Sequence, residues 1–283
     1  MVSQYHNSPA FVLPTGTLLS GRFRLQREIG RGRAATVYLA FDTQRATEVA
    51  VRVVRLATQE QARLRREVFA AWDIAHDHVV RVHGWFEEGE LSCVVMDYIA
   101  GPDLGRRVEQ RGPLTSDEAA AEGRGIALAL RAAHRRGILH RHVSPGNILI
   151  GGETRALLAD FGSAGAGAPA ASGRDFQAPE VASGQAADAR ADVYSLGMCL
   201  YYGLTGRLPV RQDPSRPPLP AADGHRPAKW VASIPAWLDE AVAVATAALP
   251  ADRYGSAGRL AEVLTPGHAP AFSSLPAAIS VRA

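Results

Sequence analysis

Lysine is almost absent from this chain: Lys229 stands alone beside 30 arginines. That scarcity weakens the meaning of any single arginine, because an arginine is what this composition supplies wherever a positive charge is needed. Cysteine is scarce as well. Cys93 and Cys199 are too few for a disulfide framework, and each reads as a small buried apolar residue of a protein in a reducing cytoplasm. Charge of either sign is not in excess, since 31 basic minus 28 acidic residues gives +3. With no long Lys/Arg block and no basic stripe interleaved with aromatics, nucleic acid is not an expected partner. No apolar run reaches the length of a membrane span. The longest, residues 193–204, contains Ser195 and reads as a buried core helix. Residues 1–16 lack a basic start followed by an apolar core, so no secretory leader is expected, and no internal repeat is visible. These absences leave a cytoplasmic protein without a membrane partner as the expectation.

What is present is ordinary in bulk and specific in detail. A chain of 283 residues, 47% hydrophobic and 21% charged, is long enough for two lobes with their own cores. Ile29-Gly30-Arg31-Gly32-Arg33-Ala34-Ala35-Thr36-Val37-Tyr38 sets two glycines before a β-branched stretch. Glycines let backbone turn tightly and bring its amides against an anion with no side chain between, although two glycines also make a plain hairpin turn. Glu48-Val49-Ala50-Val51-Arg52-Val53-Val54 reads as a buried strand, and Arg65-Arg66-Glu67-Val68 opens a helical pattern. Later come Leu139-His140-Arg141-His142-Val143-Ser144-Pro145-Gly146-Asn147, then Ala159-Asp160-Phe161-Gly162 and Ala178-Pro179-Glu180. Asp192-Val193-Tyr194-Ser195-Leu196-Gly197 and Arg253 complete the set. Any one of these has a bland explanation; Asp160-Phe161-Gly162, for instance, could be a turn after a strand.

In this order and at this spacing the elements resemble the protein kinases, most of all the bacterial Ser/Thr kinases of eukaryotic type, over residues 22–264. The resemblance implies an α+β, bilobal protein-kinase-like fold. A strand-rich N-lobe with one helix would occupy residues 22–95, a hinge 96–101 and a mostly helical C-lobe 102–266, with tails 1–21 and 267–283 expected to be poorly ordered. Between the lobes it implies an ATP pocket walled by Ile29, Val37, Ala50 and Leu149. Met96 would be the gatekeeper, and the Asp97 carbonyl and Ile99 amide the hinge contacts. Gly30 and Gly32 would lie over the phosphates, and Arg52 would stand in the lysine position, paired with Glu67. Magnesium takes hard oxygen ligands, which Asn147 and Asp160 would supply. Arg253 would pair with Glu180.

The departures from the family pattern cluster at the chemistry. His142 stands where the catalytic loop has its Asp, Ser144 where it has a Lys, and Ala35 where the glycine-rich loop has a third Gly. A guanidinium at position 52 is longer and broader than an ammonium, so it can keep a bidentate carboxylate pair yet misplace its charge on the phosphates. An Asp is anionic at neutral pH and only accepts hydrogen bonds, whereas a neutral imidazole offers one acceptor and a protonated one repels cations. Phosphoryl transfer depends chiefly on positioning and charge stabilisation, which the bulkier ring would not reproduce. Residues 163–177 are short and rich in Gly, Ala and Pro, with Ser172-Gly173-Arg174-Asp175-Phe176 where relatives have a G-T-x-x-Y substrate-docking element. The expectation is therefore a pseudokinase that binds ATP and Mg2+ and acts through a protein partner, a genuine kinase or its substrate, in signalling. Two alternatives stay open: an active Ser/Thr kinase using His142 as base, and transfer of AMP from ATP. Arg141 could bind a phosphate on Ser163 or Ser172, or bond backbone or Asp160.

Overall fold

The computed structural model describes residues 12–32, 35–152, 155–161, 175–208 and 224–265. Residues 18–97 carry a six-stranded antiparallel sheet in the order β1-β2-β3-β4-β6-β5. The strands are β1 Leu18–Leu19, β2 Phe23–Arg31, β3 Ala35–Asp42, β4 Thr47–Arg55, β5 Val82–Glu88 and β6 Leu91–Asp97. β4 lies between β3 and β6, and its residues Val49 to Val54 are all buried, as a central strand covered on both faces must be. Strand alternation sends Val49, Val51 and Val53 into one cluster with Leu25, Tyr38 and Val95. Ala50 and Val54 go to the opposite face, with Val94 and Met96, so Arg52 between them is also on that face. The sheet curls until its outer strands meet: Phe23 of β2 stacks on Phe86 of β5 at 5.4 Å, and the Ser20 amide donates to Glu88 Oε2 at 2.9 Å. Leu18 and Leu19, placed by sequence in the N-terminal tail, are part of this sheet, because Leu19 is buried in its core and tail residue Leu13 donates its amide to the Tyr38 hydroxyl. The lobe thus begins before residue 22.

One helix, α1 Thr58–Trp72, crosses the cleft-facing side of the sheet. It starts well before Arg65, where the helical pattern was expected to open, because Gln61, Leu64, Val68 and Ala71 form one continuous buried stripe at helical spacing. Glu67 therefore sits in its interior. β6 ends at Asp97, and the chain crosses to the second lobe past Gly101, where a Cβ would lie 1.9 Å from the Ile150 carbonyl oxygen. Only glycine fits that approach.

The second lobe is built on α5 Ala189–Thr205, hydrophobic all round and buried over most of its length. Asp188 caps its start and Gly206, at φ 64°, ends it. α2 Leu104–Arg111 and α3 Ser116–His134 precede it; Thr115 and Glu118 form a reciprocal capping box at the start of α3. Gly123 lets α3 approach α5 closely, since a Cβ there would meet Leu200 at 2.6 Å. The hairpin β7 Ile148–Gly151 and β8 Arg155–Leu158 lies between the lobes, and α4 Pro179–Ala182, α6 Ala236–Ala245 and α7 Ala257–Val263 complete the lobe. No described helix is long and apolar enough to cross a membrane.

Candidate active site

The loop carrying His140 to Asn147 hangs from a single carboxylate on α5. Asp192 is buried and accepts from the His140 amide at 2.8 Å, the Arg141 amide at 2.8 Å and the His134 Nε2 at 2.8 Å. Three donors satisfy a charge that would otherwise be costly to bury. They also hold Arg141 at φ 64°, a left-handed conformation unusual for a non-glycine residue. Sequence reasoning placed Asp192 on this helix but missed its role and its partner His134; the signal was an Asp with no other business inside an apolar helix.

His140 ties this loop to the next one. Its Nε2 donates to the Ala159 carbonyl at 2.9 Å, and its ring meets Phe161 edge-on at 4.6 Å. Burial pushes its pKa below the ordinary histidine value. The Ala159 amide in turn donates to the Asn147 carbonyl at 2.9 Å, which brings Asn147 beside Asp160. Asp160 is itself left-handed, at φ 68°. Among the described residues no three His, Cys, Asp or Glu side chains cluster as a metal site. Asn147 and Asp160 offer two side-chain oxygens, and a magnesium ion held there would have to fill its other positions with phosphate and water.

His142 lies inside this frame. Its amide donates to His140 Nδ1 at 3.3 Å, and its carbonyl accepts from Asn147 Nδ2 at 2.8 Å. Burial lowers its pKa, with His140 and Arg52 acting in the same direction and Asp160 opposing, so the ring is neutral at pH 7. Its Nε2 is buried without a hydrogen-bond partner. Ser144, in the lysine position, is buried as well.

The expected pair of Arg52 with Glu67 is not formed. Arg52 Nε lies 3.4 Å from Asp160 Oδ2, while Glu67 Oε1 accepts from Arg63 Nε, one helical turn earlier, at 3.2 Å. The guanidinium is long enough to reach across the cleft to the second lobe, and the i,i+4 spacing on α1 supplies Glu67 with a nearer cation. A small cavity of about 20 Å³, bordered by Arg52, Val68, Ala71 and Phe161, lies between β4 and the helix. Glu67 Oε2 is left buried without a partner.

The residues named as pocket walls share one apolar cluster. Ala50 and Met96 are buried, and Ile29, Val37, Ile99 and Leu149 are half-buried in the same cluster. Asp97 closes β6, and its side chain accepts from His83 Nε2 at 2.5 Å. Gly30 faces Val37, and the Gly32 amide donates to the Ala35 carbonyl at 2.8 Å, where the ends of β2 and β3 meet. A Cβ at Gly30 would be in ordinary contact, 3.8 Å from Val37, and one at Gly32 would be 3.6 Å from the Ala35 oxygen. Among the described residues nothing demands glycine at either position. Besides Arg52 to Asp160, Arg106 reaches from the second lobe to the Ile29 carbonyl at 3.5 Å, and Arg27 donates to the Tyr98 hydroxyl of the hinge at 3.1 Å.

Behind the cleft, Arg253 and Glu180 form the expected pair, bidentate at 2.7 and 2.8 Å, with Arg253 also donating to the Ala247, Ala248 and Arg190 carbonyls. Phe176 and Asp175 of the expected docking element are buried, Phe176 meeting Tyr202 edge-on at 6.1 Å. Ser163, Ser172 and Gly162 lie outside the described residues.

Comparison with known proteins agrees with this geometry. A family model for the protein kinase domain matches residues 23–223. Serine/threonine-protein kinase PknD of Mycobacterium tuberculosis is 35% identical over 261 residues, covering 85% of this chain and 39% of PknD. A probable serine/threonine-protein kinase of Clostridium acetobutylicum is 33% identical over 210 residues, covering 70% of this chain and 32% of that protein. PknL of Mycobacterium tuberculosis is 35% identical over 255 residues, covering 85% of this chain and 64% of PknL. The chain thus spans between about a third and just under two thirds of these relatives' length. The crystal structure of Rad53 residues 1–466 in complex with AMP-PNP superposes with a TM-score of 0.73 at 24% identity, over 85% of this chain and 64% of that one, a likeness of fold. With its motifs standing in order on two lobes, and with these matches along most of its length, the chain belongs to the protein kinase family.

Proposed function

We propose that this chain is a pseudokinase: it binds ATP with Mg2+ in the cleft and acts as a regulatory or scaffolding partner of a signalling protein, without transferring phosphate. Nucleotide binding is supported by the apolar cluster around Ala50 and Met96 and by two glycines that no described neighbour requires. A bound magnesium would sit on Asn147 and Asp160 and offset the charge of the phosphates, as the donor set suits a hard cation. The observation that carries the loss of catalysis is His142. Where a kinase has a carboxylate to orient the substrate hydroxyl, this chain has a neutral ring whose outer nitrogen is buried. Ser144 adds no charge to stabilise a transferring phosphoryl group. Nucleotide would then work as a conformational ligand, bridging lobes that already touch through Arg52–Asp160 and Arg106–Ile29.

The test is an incubation of the purified protein with ATP and Mg2+, alone and with a generic acceptor protein, read as intact masses beside an Asp160→Asn control. The expected result is no covalent adduct on either protein, together with a rise in melting temperature on adding ATP. An added phosphate that disappears in the control overturns the proposal in favour of an active kinase, and an added AMP in favour of nucleotidyl transfer.

A further inference from the structure

Both hydrogens of the Asn147 side-chain amide are directed at one residue. Nδ2 donates to the His142 carbonyl at 2.8 Å and lies 3.3 Å from His142 Nδ1, at the long end of the hydrogen-bond range. The first bond orients the amide: a carbonyl oxygen only accepts, so the group facing it is the NH2 and not the oxygen. The second then selects the tautomer. An NH2 only donates, so Nδ1 is the acceptor and the single proton of the neutral ring sits on Nε2. The lone pair that a general base would need is already engaged. With the NH2 so engaged, the other end of the Asn147 amide, Oδ1, is the atom left to meet a ligand.

We infer that His142 is a positioning residue for Asn147: its Nδ1 and its carbonyl together hold the amide so that Oδ1 is presented to the cation that accompanies the nucleotide. This rests on the nucleotide reading above and deepens it. An aspartate at position 142 would add a charge close to the cation; the imidazole adds none, and among the described residues no acidic cluster compensates. Fixing the direction of a neutral oxygen ligand is then the contribution left to this position, the part that outer-shell hydrogen bonds play at metal sites.

The test compares His142→Asn, whose short amide places an oxygen near where Nδ1 was, with His142→Ala, which leaves only the carbonyl. Affinity for a fluorescent ADP is measured in EDTA and across a Mg2+ titration. Wild type and His142→Asn are expected to show the same Mg2+-dependent gain, while His142→Ala needs about tenfold more Mg2+ for half of that gain, with its affinity in EDTA unchanged. An unaltered Mg2+ dependence in His142→Ala, or a loss in His142→Asn equal to that in His142→Ala, overturns the inference. The tautomer is read separately, without ligand, from the nitrogen-15 correlations of the imidazole. A proton on Nε2 is expected; a proton on Nδ1 overturns the inference while leaving nucleotide binding untouched. Failure of every protein to bind ADP in either buffer overturns the nucleotide reading itself and removes the cation that Asn147 is held to meet.

Discussion

The two sides of the cleft treat their buried charges differently. On the C-lobe side Asp192 accepts from three donors, and Arg253 makes a bidentate pair plus three bonds to carbonyls. On the N-lobe side Arg52 has a 3.4 Å contact to Asp160, and Glu67 has one bond to a cation of its own helix and one buried oxygen with none. The C-lobe side supports the backbone of the catalytic loop and the Glu180 segment, which any member of the family needs in order to fold. The N-lobe side would couple α1 to the phosphates of a bound nucleotide, which only a working enzyme needs in one set geometry. Under the pseudokinase proposal the scaffold is kept and that coupling is relaxed.

The strongest test of that contrast is Arg253→Met. It leaves Glu180, whose side chain is only 9% exposed, without its cation, a situation that costs up to about 3–5 kcal/mol, and much of the stability of a lobe should go with it. Chemical denaturation followed by circular dichroism would measure it. A loss below about 1 kcal/mol would put Arg253 in the same class as surface pairs and erase the difference between the two sides.

The C-lobe has its own exceptions, and they can be read by pH. Glu122 on α3 is buried, faces Glu118 and Arg107, and its pKa is pushed up by burial from 4.5 to about 7. His225 is buried near Lys229 and its pKa is pushed down by burial from 6.5 to about 4. Each also carries a buried atom without a partner. For Glu122 the folded state binds the extra proton, so its contribution falls as pH rises from 4.5 to about 7; for His225 the unfolded state binds it, so its contribution falls as pH drops from 6.5 to about 4. Between pH 4.5 and 6.5 the two slopes oppose, at about 1.4 kcal/mol per pH unit each, and stability should be nearly flat. Glu122→Gln should expose the histidine slope, with stability falling toward acid. His225→Phe should expose the opposite slope. Denaturation midpoints across this range would show both, and identical pH profiles in all three proteins would reject the assignment.

How much of this was legible in the sequence follows the same division. The Glu180–Arg253 pair, the buried α5 and the strand bearing Arg52 could be placed from motif and period alone, because backbone geometry and burial fix them. The partner of Arg52 could not, because it depends on side-chain reach and on a competing cation, Arg63, that belongs to no motif. The start of α1 was hidden because the residue at its cap is Ala57, which carries no capping side chain. Leu18–Leu19 is too short a strand to show any alternation. The tautomer of His142 is a property of two hydrogen bonds, and sequence order holds no trace of it.

The smallest expected effect is the most discriminating. Glu67→Ala removes one i,i+4 pair, worth about 0.3–0.5 kcal/mol, and also removes a buried oxygen whose lack of a partner costs about 1–3 kcal/mol. The two changes oppose and the second is at least as large, so no loss of stability is expected. Were Glu67 paired with Arg52 in solution, the same substitution would strand a guanidinium that is 7% exposed, and the loss would approach the 3–5 kcal/mol expected for Arg253→Met. A near-neutral result therefore supports an α1 held to the cleft by packing alone, free to be set by whatever binds there. A large loss would mean that the two sides of the cleft are built alike after all.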